Sequence, residues 1–239
     1  MAGRLMKSVS GIRGVVGDSF TPELVLRVAN TFARYHKRGT VVLGRDSRPT
    51  GEAVSNMTAA ALALSGCDVV DLGVVPTPTV QIMVEELAAD AGMVISASHN
   101  PVQWNAFKLI GKSGSFLNAA RIGRFFAMME EAPSYPQWNK IGKISFNDSA
   151  AGIHIKKVLD LINVQAIRKR KFRVVLDSVN GAGSVITADL LRGLGCEVIP
   201  LYCDIDGTFP RPAEPLPGNL GDLGEKVRAS GADIGFAQD

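Results

Sequence analysis

The sequence predicts an α/β protein made of two similar three-layer α/β/α domains with mixed, mainly parallel sheets. Three observations carry that prediction. Short aliphatic runs alternate with helical patterns along the chain, which is the rhythm of βαβ units. Aliphatic content is high, aromatic content is only 6%, and Gly and Pro are spread throughout, as in an ordinary α/β chain rather than a fibrous or disordered one. The chain also repeats itself. Thr58-Ala59, Gly66-Cys67-Asp68-Val69-Val70 and Leu72 recur at one constant offset as Thr187-Ala188, Gly195-Cys196-Glu197-Val198-Ile199 and Leu201. Val41-Val42-Leu43 recurs as Val174-Val175-Leu176 ahead of a turn of different length. Duplication of one βαβ domain leaves this signature.

In chain order, Thr21-Pro22-Glu23 opens a helix, with Thr as N-cap and Pro at the first helical position. Apolar residues recur at Leu24, Val25, Val28, Ala29 and Phe32, and the pattern ends near Arg38-Gly39. A buried-strand run at Val41–Leu43, a polar turn from Gly44 to Gly51 and a helix from Glu52 to Leu64 follow. Next come a strand at Val69–Leu72, a proline-marked loop Pro76–Thr79, a helix through Glu85-Glu86-Leu87 and a strand at Met93–Ile95. The stretch 130–150 is polar and broken by Pro133, Pro136, Gly142 and Asn147-Asp148, so the domain boundary is expected in its later part. The domains expected are residues 1–148 and 149–239. In the second, a Lys- and Arg-rich helix over His154–Arg170 precedes a strand at Arg173–Leu176 and a turn from Asp177 to Gly183. A helix running to Leu194 and a strand at Glu197–Ile199 complete the pattern.

Composition excludes several classes. No stretch approaches membrane-spanning length, and the first twenty residues hold charges and glycines where an export signal needs an apolar run, so the expected location is the cytoplasm. Cys67, Cys196 and Cys203 sit in apolar runs without ligand spacing and read as small buried hydrophobes. A net charge of +3 gives no argument for nucleic acid and permits anionic small molecules.

The strand ending at Ile95 delivers Ser96-Ala97-Ser98-His99-Asn100-Pro101 to the carboxyl edge of a sheet, where α/β domains place ligand loops. Serine can carry a phosphoryl group, while His, Asn and backbone N–H groups can donate to its oxygens. Taken alone, the run reads as a hydrogen-bonded serine-rich turn. With its following Asn105 and Lys108, however, it resembles the phosphoserine signature of the α-D-phosphohexomutases. Gly11-Ile12-Arg13-Gly14 resembles that family's N-terminal Arg loop, and Gly44-Arg45-Asp46-Ser47-Arg48 its turn after the first long strand. Asp206–Pro210 and Pro217–Leu220 resemble loops of its second domain.

The resemblance implies a phosphohexomutase. Phosphorylated Ser98 gives its phosphoryl group to a hexose monophosphate, and the bisphosphate turns over and returns its other phosphate. It further implies Lys108 in proton transfer, Arg13 gripping phosphate, and His99 as donor beside the phosphoserine. Asn100 and Arg48 are then phosphate-binding candidates, while Asp46 and Arg48 are expected to organise the loop, a structural ion pair between them being at least as well supported as substrate contact. Mg²⁺ would be held by a phosphate oxygen on Ser98 and by aspartates of a loop of which only Asp239 is present, and hexose 1,6-bisphosphate would be the activator. The chain is therefore expected to be a fragment lacking its C-terminal domains, with weak metal binding and no turnover alone, as monomer or dimer. The family usually has Gly where Ala106 stands, which matters if a turn there needs positive φ. Ser10-Gly11-Ile12-Arg13-Gly14 leans toward the phosphoglucosamine-mutase branch over glucose or mannose phosphates.

Two other readings stand beside this one. A non-catalytic sugar-phosphate-binding or interaction module could retain the serine loop. Gly181-Ala182-Gly183 as a nucleotide fingerprint lacks the later glycine and the ribose-binding acid.

Overall fold

A computed structural model describes residues 5–239, so the first four residues of the expected first domain lie outside the described residues. The backbone divides into two compact units. The first comprises residues up to Asp46, Thr50–Ala97 and Gln103–Ala150; the second comprises Ser47–Pro49, Ser98–Val102 and Ala151–Asp239.

The first unit holds strands β1 (Met6–Ser8), β2 (Gly11–Val15), β3 (Val41–Arg45), β4 (Val69–Val74), β5 (Ala91–Ile95), β6 (Trp104–Gly111) and β7 (Ile144–Phe146). They form one seven-stranded sheet in the order β1-β2-β6-β5-β3-β4-β7. The strands from β5 to β7 run parallel, and β6, β2 and β1 each run antiparallel to their neighbours. Helices α1 (Pro22–Tyr35), α2 (Gly51–Leu64) and α4 (Ala119–Met129) cover one face. They do so because their apolar sides supply Val28, Phe32, Leu62, Ile122 and Phe125 to a core with Val41, Leu43, Met93, Ile95 and Phe107. Helix α3 (Thr77–Glu86) lies on the opposite face. Thr21 caps α1 as expected, its side chain accepting from Leu24 N at 3.4 Å.

The second unit holds α5 (Ala150–Leu159, its first residue in the first unit), α6 (Val164–Arg170), β8 (Arg173–Asp177), α7 (Gly183–Gly193), β9 (Glu197–Leu201), α8 (Gly221–Ser230) and β10 (Ile234–Ala237). Its sheet is parallel, in the order β10-β8-β9. Val174 and Leu176 pack with Ala188 and Leu191 of α7 on one face, and Gly235 meets Leu223 and Val227 of α8.

The internal repeat survives in the hydrogen-bond register. Val41 pairs with Val69, Val42 with Val70 and Leu43 with Asp71; the corresponding residues Val174, Val175 and Leu176 pair with Val198, Ile199 and Pro200. Cys67 N donates to Leu62 O, and Cys196 N to Leu191 O, both at 3.0 Å. The third strand corresponds as well. A Cβ on Gly92 would come 2.6 Å from Val84, and one on Gly235 2.8 Å from Val227, so in both units a glycine lets a helix lie directly on the strand.

Some expectations need correction. The expected single helix over His154–Arg170 is two, because Asn163 starts a new one by capping Ala166 N at 3.0 Å, and Leu161 stays 85% exposed in the break. Ala106 lies within β6, paired with Arg13, so no turn there calls for glycine. The broken stretch near 130–150 contains β7, which pairs with β4.

Candidate active site at the Ser98 loop

The loop is bracketed by two main-chain bonds. Ser96 N donates to Ala106 O, and Val16 N donates to Gln103 O, each at 3.0 Å. Between them Ser98 adopts φ +54°, a left-handed conformation uncommon for a residue with a side chain. Its hydroxyl, half-buried rather than enclosed in apolar packing, donates to Asp239 Oδ2 at 2.8 Å. His99 Nδ1 lies 3.8 Å from the same oxygen, with both side chains well exposed. Ser98, His99 and Asp239 are thus gathered within the second unit.

Arg48 reaches the main chain of the same loop. Its side chain is 1% exposed, its Nη2 donates to Ser98 O (2.6 Å) and Asn100 O (2.7 Å), and its Nη1 donates to Pro101 O (2.6 Å). The guanidinium also lies 5.0 Å from the Phe209 ring centroid. These contacts with loop carbonyls support the loop-organising reading of Arg48, which the sequence offered beside the phosphate-binding one. Asn100, half-buried, contributes its carbonyl to that arrangement. Ser47 Oγ donates to Asn180 O at 2.8 Å, tying the same segment to the turn after β8.

Arg13 and Lys108 belong to the first unit. Arg13 pairs with Ala106 across β2 and β6, so side chains at 13, 106 and 108 share one face, the α3 face, and the two cations sit one diagonal apart. Gly11 permits this approach: at φ +114° a Cβ there would overlap the Phe107 carbonyl oxygen. Lys108 Nζ donates to Thr77 Oγ1 at 3.3 Å, at the start of α3. Asn105, fully buried, reaches Thr50 Oγ1 at 3.2 Å and so serves packing.

Sequence reasoning missed the group behind Asp239. Gln238 N donates to Asp177 O at 2.9 Å, its side chain accepts from Ser178 Oγ at 3.0 Å and donates to Thr187 Oγ1 at 2.9 Å, and its carbonyl accepts from Arg211 Nη2 at 3.2 Å. Arg211 Nε also donates to buried Asp177 Oδ2 at 2.7 Å. Nothing in the local sequence pairs residues 177 and 211; the position of Gln238 beside Asp239 was the available signal.

Ser98 and Asp239 are two oxygen donors, whereas octahedral Mg²⁺ asks for six ligands. Among the described residues no three His, Cys, Asp or Glu side chains gather as a metal site. The residues here fit one corner of a Mg²⁺ site and not a whole one. Among the described residues no helix is long and apolar enough to cross a membrane.

Fold and site together define an α/β protein of two repeated units with a serine-bearing loop at the end of a parallel strand. The phosphoglucomutase/phosphomannomutase α/β/α domain I sequence model matches residues 4–134, and that of domain II matches residues 153–239. The chain belongs to this family, the α-D-phosphohexomutases. It is 40% identical over 231 residues to "Probable phosphoglucosamine mutase" of Methanopyrus kandleri, covering 96% of this chain and 50% of that protein. It is 39% identical over 238 residues to "Phosphoglucomutase/phosphomannomutase" of Thermococcus kodakarensis, covering 96% and 52%. The crystal structure of a phosphoglucomutase/phosphomannomutase family protein from Burkholderia thailandensis superposes with TM-score 0.82 at 28% identity, covering 97% of this chain and 53% of that one. The chain spans about half the length of the curated relatives it matches.

Proposed function

We propose that this chain carries the phosphoserine of a phosphohexomutase, which interconverts hexose 1-phosphate and hexose 6-phosphate through a bisphosphate intermediate. The turnover is proposed for a protein of the relatives' full length. The observation that carries the reading is the accessible Ser98 hydroxyl at the end of β5, held 2.8 Å from a carboxylate oxygen in a chain of this family. In the proposed step a sugar hydroxyl oxygen attacks the phosphorus of phospho-Ser98. The P–Oγ bond breaks, the sugar O–P bond forms, and the hydroxyl proton passes to Oγ. Lys108 is proposed to carry that proton, Arg13 and Asn100 to offset phosphate charge, and His99 to donate to the phosphoryl oxygens. Residues 1–148 and 149–239 are proposed as the two domains. Mg²⁺, with Asp239 as one ligand beside the phosphoserine, and a hexose 1,6-bisphosphate activator are part of the same proposal; no step is derived through the metal.

The name of the Methanopyrus kandleri relative and the sequence Ser10-Gly11-Ile12-Arg13-Gly14 support glucosamine phosphate as the sugar, while the Thermococcus kodakarensis relative is named for glucose and mannose phosphates. Intact-mass analysis after incubation with glucosamine or glucose 1,6-bisphosphate should show one added phosphoryl group that is lost in Ser98→Ala, with faster loading from glucosamine. An unmodified mass with both donors would remove the proposal.

A further inference from the structure

The geometry points to Arg48 as the positioning residue of the phosphoserine loop, an inference that rests on reading Ser98 as the phosphoryl carrier. A loop that must present a hydroxyl from a left-handed residue has to have its backbone fixed by something, and a run of Ser-His-Asn-Pro contains no ladder of its own. Arg48 supplies the fixing. Its planar fork reaches the carbonyls of Ser98, Asn100 and Pro101, three acceptors within four consecutive residues, at 2.6–2.7 Å. Being 1% exposed, the charge is taken from water and set against three carbonyl dipoles, an arrangement that tolerates little displacement of those carbonyls.

Arg48 is itself held from behind. Phe209 lies against the guanidinium, and Ser47 Oγ donates to Asn180 O. Asn180, 6% exposed, is anchored in turn: its N donates to Tyr202 O at 2.6 Å, and its Nδ2 donates to Asp206 Oδ1 at 3.2 Å. All these residues lie in one compact unit with Ser98 and Asp239. Arg48 therefore touches neither phosphate nor sugar in this role; it sets where the Ser98 hydroxyl points. Lysine in its place keeps the charge and offers a compact donor in place of the fork, so it should restore only part of the effect.

The test compares the parent chain with Arg48→Lys and Arg48→Met. Amide hydrogen exchange in the segment 97–103 should quicken about tenfold or more in both, with α1 and β4 segments unchanged, because a local clamp is lost. Loading of Ser98 from glucose 1,6-bisphosphate, followed by intact mass, should slow about a hundredfold at saturation in Arg48→Met and less in Arg48→Lys, as a displaced reacting group predicts. The half-saturating concentration should stay within about threefold. Unchanged exchange in the loop would overturn the inference, and so would a half-saturating concentration raised with the saturated rate intact, which is the signature of a phosphate grip. If Arg48→Met does not fold, Arg48→Lys and Ser47→Ala carry the same comparison. If the parent chain never loads, the proposed function falls, and exchange in the loop alone decides for or against the clamp.

Discussion

At the scale of single residues, His36 is a stability determinant with a definite pH dependence. It ends α1 against the rings of Phe32 and Tyr35, with centroids 4.5 and 5.0 Å away, and its Nε2 has no partner among the described residues. Burial pushes its pKa down to about 4, against the opposing pull of Asp90. A folded value below the unfolded one means that the unfolded chain takes up the proton first. The stabilisation is therefore full above about pH 6.5 and is lost as pH falls toward 4, with a total on the order of 3 kcal/mol. Urea unfolding of the parent and of His36→Leu between pH 7 and pH 4.5 should show a steeper decline for the parent. Parallel curves would remove His36 as the cause. Cys67, fully buried with its thiol pushed up to about 12 by burial, is the small buried hydrophobe expected, whereas Cys196 and Cys203 are only half-buried.

At the scale of elements, the contact between strand and helix is set by atoms that are missing. Gly92 lets Val80 and Val84 of α3 settle on β5, and Gly235 does the same for Leu223 and Val227 of α8 on β10. Gly92→Val should cost about 1–3 kcal/mol through overpacking. A lowered urea midpoint with unchanged slope is the expected result, and an unchanged midpoint would mean that α3 moves without resistance. Legibility in the sequence followed this same packing. The parallel strands β3 and β5 are covered on both faces and could be read as plain aliphatic runs, as could the partly covered β4. Strand β6 is equally covered but carries Asn105, which bonds Thr50, and Lys108, which bonds Thr77, so polar partners broke the pattern and the strand was not read. Helix α8, with Gly221 and Gly224 in a mostly exposed segment, gave too little apolar stripe. In the candidate site, Ser98 and Asp239 were legible because side-chain identity defines them. Arg48 could be read both as a loop organiser and as a phosphate contact, because the carbonyls it meets belong to every residue and leave no mark in the sequence.

At the scale of the molecule, one plan is used twice: three parallel strands, matched registers, and a helix laid on a glycine of the third strand. The third strand ends at the serine loop in one copy and at Gln238-Asp239 in the other. The division into compact units does not follow the division of the sequence, since Ser47–Pro49 and Ser98–Val102 group with the later residues. A consequence for handling the protein follows from that threading. Cleaving the chain once near Asp148 does not yield two independent pieces, because the later fragment loses the segments that complete its own compact body. After a single protease nick there, the two fragments should co-elute in gel filtration under native buffer and part only in denaturant. Expressed alone, residues 151–239 should bury less of Asn180 and Phe209 and prove the less soluble product.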